Sequence, residues 1–231
     1  MKKDILSRIA AIVLGICISV LIITLSIGFP IYFRPFYYAQ IKELGIPEDT
    51  GFTVEQIRQA YNELLGYLTI PGREFSVGDF NYSESGASHF EECKTLFLLN
   101  GRALILSALV TVVIVILSRT GVLSLKRSSV LKTIRWAGIA NLSAFTLAGL
   151  LIATLGFGRA FAYFHLLVFP SNLDWLFDPV TDGIILALPR DFFMRCAIVI
   201  ILRAVILSAL AVIMPSLLDK RKGSNKSRRK S

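Results

Sequence analysis

The sequence predicts an all-α integral membrane protein with four transmembrane helices, an extracytoplasmic cap between spans 1 and 2, and a second outer loop between spans 3 and 4. The 231 residues are 54% hydrophobic and only 18% charged, whereas soluble domains average roughly 45 to 50% apolar and about 25% charged residues. Four apolar runs approach the roughly 20 residues that a helix needs to cross a bilayer. The net charge of +9 is concentrated beside these runs, which favours a role in membrane orientation over nucleic-acid binding.

The four predicted spans lie within one membrane domain of residues 1–231, at about 9–29, 96–117, 136–157 and 192–218. A secretory signal is the competing interpretation of the first run, because Lys2, Lys3 and Arg8 precede it. Its apolar stretch is longer than the roughly 7 to 15 residues of a signal peptide. We therefore expect an uncleaved membrane anchor.

Lysine and arginine predict the orientation of these spans. Basic residues cluster before the first span, in the connection after the second span, and in the tail at 219–231. With four spans these segments share one side, which the positive-inside rule makes cytoplasmic. The connection contains Arg119, Lys126, Arg127, Lys132 and Arg135 without an acidic residue. Both termini are thus predicted to be cytoplasmic, with segments 30–95 and 158–191 on the outer side.

The long outer segment 30–95 is predicted to contain an amphipathic helix from about Val54 to Leu68. Thr53 and Gln56 have the spacing of a capping box, and apolar residues then recur at helical intervals. Pro71-Gly72 ends the helix. It either covers a lipid-facing site or simply packs on its neighbours, and strands around Phe75 to Tyr82 stay open.

The second outer segment, 158–191, is rich in aromatic residues. Rings at headgroup depth normally anchor a protein at the membrane interface, and the alternative is a pocket for an acyl chain. The aromatic residues at and around this segment are Phe157, Phe161, Tyr163, Phe164, Phe169, Trp175, Phe177, Phe192 and Phe193.

The two histidines of the chain, His89 and His165, are both predicted near the outer ends of apolar segments. Two imidazoles at one interface suggest proton transfer or nucleophilic catalysis. Ser88 and Glu91 suggest a capping box around His89, where the helix N-terminus disfavours the imidazolium ion. The alternative is an exposed loop histidine.

His165 follows aromatic residues, so desolvation should also disfavour its charged form. A histidine packed between rings is commonly structural. The candidates to orient this ring are Asp174, Asp178 and Asp182.

Other catalytic signatures are missing from the sequence, including a nucleophile elbow, a Walker loop and paired cysteine motifs. Cys17 and Cys196 fall in apolar runs and Cys93 has no obvious partner, so the cysteines are interpreted as packing residues. With two histidines, zinc is not expected.

Arginines near or within apolar runs are candidates for function or for snorkelling; these are Arg102, Arg195 and Arg203.

Two blocks of residues resemble a known family. The first contains Ser83-Glu84, then His89-Phe90-Glu91-Glu92-Cys93-Lys94 and Leu96-Phe97. The second contains Phe164-His165, Phe169, Trp175, Asp178-Pro179, Asp182, Pro189 and Phe192-Phe193. Both resemble the lipoprotein intramolecular transacylase family of monoderm bacteria. The family has aspartate-valine where this chain has Glu92-Cys93.

The resemblance implies transfer of the sn-2 acyl group of a diacylglyceryl-modified lipoprotein to the α-amino group of its N-terminal cysteine. His89 and His165 would be catalytic, at the outer face of a bacterial cell membrane. No cofactor and no metal are expected, and the partners would be the lipoprotein and membrane lipid, without nucleic acid and with the oligomeric state open. Expected substrate-binding or supporting residues are Glu84, Arg203, Tyr163, Phe164, Trp175, Asp178 and Asp182. The alternatives are a non-catalytic lipoprotein-binding protein and a lipid acyl hydrolase.

Overall fold

The computed structural model describes the backbone of residues 2–228 and the side chains of residues 3–217. No strand occurs within residues 2–228. The all-α prediction is therefore confirmed, and the segment from Phe75 to Tyr82 contains no strand. The helices in this range are α1 (Lys2–Tyr32), α2 (Pro35–Tyr38), α3 (Ile46–Thr50), α4 (Val54–Thr69), α5 (Glu84–Arg119), α6 (Arg127–Leu155), α7 (Phe157–Val168), α8 (Ile184–Ala187) and α9 (Arg190–Arg228).

Helices α1, α5, α6 and α9 are long and apolar enough to cross a membrane. The third predicted span extends to position 157, whereas α6 ends at Leu155. Gly156 follows with a φ angle of +79°, a conformation that glycine adopts at no steric cost. The chain turns at this glycine, and α7 begins at Phe157 as a separate short helix. The side chains of the predicted basic tail, 219–231, lie outside the described residues.

The chain forms two compact units. The second unit consists of Ile27–Arg102 and Gly149–Ile200, and the first unit contains the rest of the described chain. In the first unit, the Ser19 hydroxyl donates to Asn141 Oδ1 at 2.9 Å, and Asn141 Nδ2 donates to the Ser19 carbonyl at 3.2 Å. Polar pairs of this kind join helices in a membrane, where an unpaired polar group is costly.

Helix α4 forms as the sequence predicts and ends one residue later. Thr53 Oγ1 accepts the Gln56 backbone N–H at 3.3 Å, and Gln56 Oε1 accepts the Thr53 N–H at 3.1 Å. This is the predicted capping box. One face of the helix is buried, including Ile57, Tyr61 and Leu64.

The buried face of α4 packs against α2 in the core of the second unit. The rings of Tyr37 and Tyr61 stack with centroids 3.7 Å apart. The Tyr37 hydroxyl donates to the Ala187 carbonyl at 2.7 Å, and Phe192 meets the Tyr37 ring edge-on at 5.1 Å. Burial raises the pKa of Tyr37 above its usual value, so the phenol stays protonated and holds this bond.

The Glu63 carboxylate helps to hold the segment after α4, which contains no strand. Glu63 Oε2 accepts the Ser76 hydroxyl at 2.5 Å and the Gly78 backbone N–H at 3.0 Å. The hydrogen bond from Ser76, with a second from Gln59, lowers the pKa of Glu63. The carboxylate therefore stays ionised and fixes the chain that leads into α5.

Candidate active site

Helix α5 positions His89, and its start lies earlier than the sequence suggests. The Ser83 hydroxyl accepts the Gly86 backbone N–H at 2.9 Å, so Ser83 is the capping side chain. The predicted cap at Ser88 is wrong, because Ser88 is already helical. His89 lies in the second turn and is only 4% exposed, so it is not an exposed loop histidine. The partial charge of a helix end fades within its first turn and does not account for this site.

Asp182, in the second outer segment, anchors the start of α5. Its Oδ1 accepts both the backbone N–H and the hydroxyl of Ser83 at 2.8 Å. Asp182 is 3% exposed. Burial alone would raise the pKa of this carboxyl, but hydrogen bonds from Ser83 and Thr181 hold it below its usual value. A Cβ at Gly86 would collide with the Asp182 carboxylate, so a larger residue there would displace that carboxylate from Ser83.

His165 lies in the last turn of α7 and is oriented by its own helix. Its Nδ1 is 2.8 Å from the Phe161 carbonyl oxygen. A carbonyl only accepts hydrogen bonds, so Nδ1 carries the proton and Nε2 keeps the lone pair. Burial lowers the pKa of His165, although the Phe161 carbonyl acts in the opposite direction. The ring is therefore neutral near pH 7.

The prediction that an aspartate orients His165 is wrong, because each candidate bonds elsewhere. Asp174 Oδ1 accepts the Ser85 hydroxyl at 2.7 Å. Asp178 Oδ1 accepts the Val180 backbone N–H at 2.9 Å within a local turn. Asp182 holds Ser83. These carboxylates organise the second outer segment instead.

The two imidazoles meet in the second unit, as the sequence predicts. Their ring centroids are 5.8 Å apart, and both rings line a cavity of about 660 Å³. Phe169 lies 4.8 Å from His89, and Trp175 lies 4.8 Å from His165. The walls are otherwise mainly apolar, apart from Tyr61, Cys93 and the exposed Arg190. A charge that forms beside the rings is therefore poorly screened by water.

Two side chains on the helix that carries His89 belong to the site and were not predicted. Glu92 Oε2 is 3.7 Å from His89 Nδ1, and Cys93 Sγ is 3.4 Å from His89 Nε2. Asn172 Nδ2 donates to Glu92 Oε1 at 2.9 Å. Positions three and four residues apart share a helix face, so this spacing in the sequence was the signal that could have indicated both neighbours. Cys93, interpreted from the sequence as a packing residue without a partner, therefore contacts His89.

Some of the other predicted site residues line the cavity and some do not. Phe164 and Trp175 line the cavity. Tyr163 is 59% exposed and does not line it, and Glu84 is exposed in the first turn of α5. Arg203 lies on α9 in the first unit.

Many aromatic residues of the second outer segment line the cavity, which an interfacial belt of anchoring rings would not do. Phe161, Phe164, Phe169, Trp175 and Phe177 all line the cavity. Phe192 and Phe193 at the start of α9 complete this wall. The acyl-pocket interpretation is thus favoured over simple interfacial anchoring.

The arginines near the apolar runs differ in their surroundings. Arg195 pairs with Glu43 at 2.8 Å, and Arg102 is exposed. Among the described residues, no group of three or more His, Cys, Asp or Glu side chains is placed to hold a metal ion.

Four long apolar helices and a buried histidine pair in an apolar cavity define an integral membrane protein with a reactive centre. A protein-family model described as "Lipoprotein intramolecular transacylase Lit" matches residues 12–193. The chain belongs to this family of acyltransferases. A comparison with curated protein sequences finds no match.

Solved structures agree with this assignment. The chain is similar to the membrane integral lipoprotein intramolecular transacylase Lit from Bacillus cereus, with 27% identity and a TM-score of 0.80 over 96% of this chain and 99% of that one. Two structures of that protein with one histidine replaced, by arginine or by alanine, match at 26% identity and a TM-score of 0.73. They cover 96% of this chain and 96% or 97% of the other.

Proposed function

We propose that this protein moves the sn-2 acyl group of a diacylglyceryl-modified lipoprotein to the α-amino group of the same N-terminal cysteine. The observation that carries the proposal is the pair of histidine rings 5.8 Å apart in one apolar cavity. The family membership supplies the reaction class. The product is a lipoprotein with an N-acyl group and a free glyceryl hydroxyl.

His165 is the general base of the proposed reaction. The Phe161 carbonyl fixes the proton on Nδ1, so Nε2 is the nitrogen that accepts a proton from the attacking amine. Burial keeps the ring neutral, and a base must be neutral before it acts. The sequence alone left the two histidine roles open.

His89 is the general acid. The Glu92 carboxylate 3.7 Å from Nδ1 provides a counter-charge for the imidazolium that forms when His89 holds a proton. The proton that His165 takes from the amine passes to His89, whose ring centroid is 5.8 Å away. The protonated His89 then gives this proton to the glyceryl oxygen as the ester C–O bond breaks. The Asn172 side chain holds the other oxygen of Glu92 and so fixes the carboxylate.

The substrate supplies both reacting groups, so the protein mainly orients them and moves protons. Well-oriented intramolecular reactions gain effective molarities of about 10⁵ to 10⁸ M. Conversion of an ester to an amide is downhill and needs no nucleotide or external acyl donor. The aromatic walls beside the histidines suit the acyl chains that accompany the reacting ester.

The proposed setting is a bacterial cell membrane with both termini in the cytoplasm and the site at the outer face. The basic connection between α5 and α6 supports this orientation. Membrane lipid would surround the four long helices, and the lipoprotein would enter from the same bilayer.

Purified protein mixed with a synthetic diacylglyceryl lipopeptide tests the proposal by mass spectrometry. We expect a product of unchanged mass with one acyl group on nitrogen, which resists mild alkali because amides do. Loss of one acyl group would instead indicate a hydrolase, and an unaltered lipopeptide would indicate a binding protein.

The histidine variants test the assigned centre in the same assay. His89→Ala and His165→Ala should each lower the transfer rate by about 10² to 10⁴-fold, the usual contribution of an acid or base. Thermal unfolding identifies a variant that merely misfolds. Normal turnover by a folded variant removes that histidine from the mechanism.

A further inference from the structure

Trp175 lies beside the histidine pair on the segment between α7 and α8. Its ring centroid is 4.8 Å from that of His165, with the planes tilted by 32°. It lines the same cavity as both histidines. Any aromatic ring could fill this position by packing. The indole of Trp175 also carries an N–H group, which packing does not require.

The indole N–H is buried and has no hydrogen-bond acceptor within the described chain. Tryptophan Nε1 is a donor only, so no alternative tautomer satisfies it. Native proteins seldom leave a buried donor unused, and such an atom calls for an explanation, often a catalytic one or a bound molecule.

The other polar side chains of the cavity differ in how they are satisfied. Arg190 also lines the cavity but is exposed, so water can satisfy its donors. His165 Nδ1 is bonded to Phe161, and the Tyr61 hydroxyl donates to the Pro30 carbonyl. His89 Nδ1 also lacks a hydrogen bond, but the Glu92 carboxylate lies 3.7 Å away. The Trp175 N–H is thus a donor that the described chain leaves available beside the general base.

We propose that the Trp175 N–H donates a hydrogen bond to the carbonyl oxygen of the transferred acyl group. This inference rests on the proposed function. As the amine nitrogen bonds to the acyl carbon, the carbonyl π electrons move to oxygen and the amine proton moves to His165 Nε2. The N–H stabilises the resulting oxyanion, which collapses as the C–O bond breaks and the glyceryl oxygen takes its proton from His89.

A donor that stabilises the oxyanion affects the rate more than ground-state binding. Trp175→Phe removes the N–H along with part of the ring. Replacement of Trp175 by 3-benzothienylalanine removes the N–H alone, because sulfur takes its place in a ring of nearly the same shape. We expect both variants to lower kcat by about 10²-fold, with KM changed by less than about threefold.

The matched control is Trp136→Phe, since Trp136 is the second of the two tryptophans and lies exposed on α6. It should retain wild-type kcat. If the benzothienyl variant keeps kcat within about threefold of the wild type, the N–H has no catalytic role.

Fluorescence gives an independent measurement, because Trp136→Phe leaves Trp175 as the only tryptophan. The probes are two diacylglyceryl lipopeptides with acetylated, unreactive amines, one with the sn-2 ester and one with an ether in its place. We expect the ester to shift the emission further to the red, since only the ester has a carbonyl to accept the N–H. Equal emission with both bound probes would overturn the inference.

The outcomes separate this inference from the proposed function. A wild-type protein that forms no N-acyl product contradicts the function itself. A wild-type protein that forms this product, with a benzothienyl variant that is equally fast, contradicts only the role of Trp175.

Discussion

The protonation of His165 follows from two contacts of its ring. Nδ1 donates to the Phe161 carbonyl, and the aromatic surroundings exclude water. Burial lowers the pKa of His165 below its ordinary value of 6.5. The His165 ring is therefore neutral, and able to act as a base, at pH values above 6.5. This neutral form is lost only when the pH falls through the lowered pKa of the ring.

This prediction is measurable because the chain contains two histidines. Untagged protein with isotope-labelled histidine should give two imidazole signals by NMR, and His89→Gln assigns the remaining one to His165. We expect its titration midpoint below 6.5 and a parallel acid loss of transfer activity. A midpoint at or above 6.5 would mean that the ring is more solvated or closer to a carboxylate than described.

At the residue scale, the sequence predicts both histidines but not their partners. Their small number and their places beside apolar runs suffice to single them out. The group that orients His165 is a backbone carbonyl, and a carbonyl has no signature in a sequence. Glu92 was missed although its spacing of three residues from His89 on one helix was visible in the sequence.

At the element scale, the start of α5 depends on a residue from another segment. Ser83 caps the helix, and Asp182 holds Ser83 through its N–H and hydroxyl. Asp182→Ala removes these bonds and leaves the partly buried donors of Ser83 without this acceptor. We expect the free energy of unfolding to fall by about 2 kcal/mol or more, because hydrogen bonds to charged groups are the stronger ones.

Thermal unfolding in detergent checks this prediction, and Asp178→Ala is the control. Asp178 is exposed and its side chain bonds only within its own turn, so its replacement should cost much less. Equal destabilisation by the two variants would show that the bonds to Ser83 are not what stabilises this end of α5.

A sequence predicts a helix well when all the signals for its start and end are local. Helix α4 has its capping box, its apolar period and its Pro-Gly terminator within one short stretch, so local information is sufficient. The cap of α5 was misplaced because Ser88 with Glu91 fits the capping-box pattern, whereas Ser83 is followed three residues later by Gly86. The contact that fixes Ser83 as the cap comes from Asp182, which is distant in the chain.

At the scale of the whole molecule, the basic segments predict which parts of the chain face the cytoplasm. Glu74 is exposed in the segment before α5, and Ser128 is exposed near the start of α6. Each is a suitable site for a new cysteine, because none of the three native cysteines is exposed.

We expect a membrane-impermeant maleimide to label Glu74→Cys on intact cells and Ser128→Cys only after permeabilisation. The reason is the excess of lysine and arginine in the connection that contains Ser128. The unsubstituted protein measures background labelling. Labelling of Ser128→Cys on intact cells would reverse the proposed orientation.

The architecture of the whole chain was predictable because hydrophobic length and charge bias are strong signals. The cavity was not, since its walls come from α5, α7, α9 and the segments between them. Composition shows that aromatic residues are abundant, but only packing decides whether they face lipid or enclose a space.

The bond between Ser83 and Asp182 joins positions 99 residues apart, and this has a consequence for biosynthesis. A nascent chain that has emerged only as far as α6 holds His89 but lacks His165, Trp175 and the aspartate that secures the helix start. The site is therefore assembled only after segment 158–191 has been synthesised. Chains that lack segment 158–191 should be inert toward the lipids around them, and competence should arise in a single step once that segment folds onto α5.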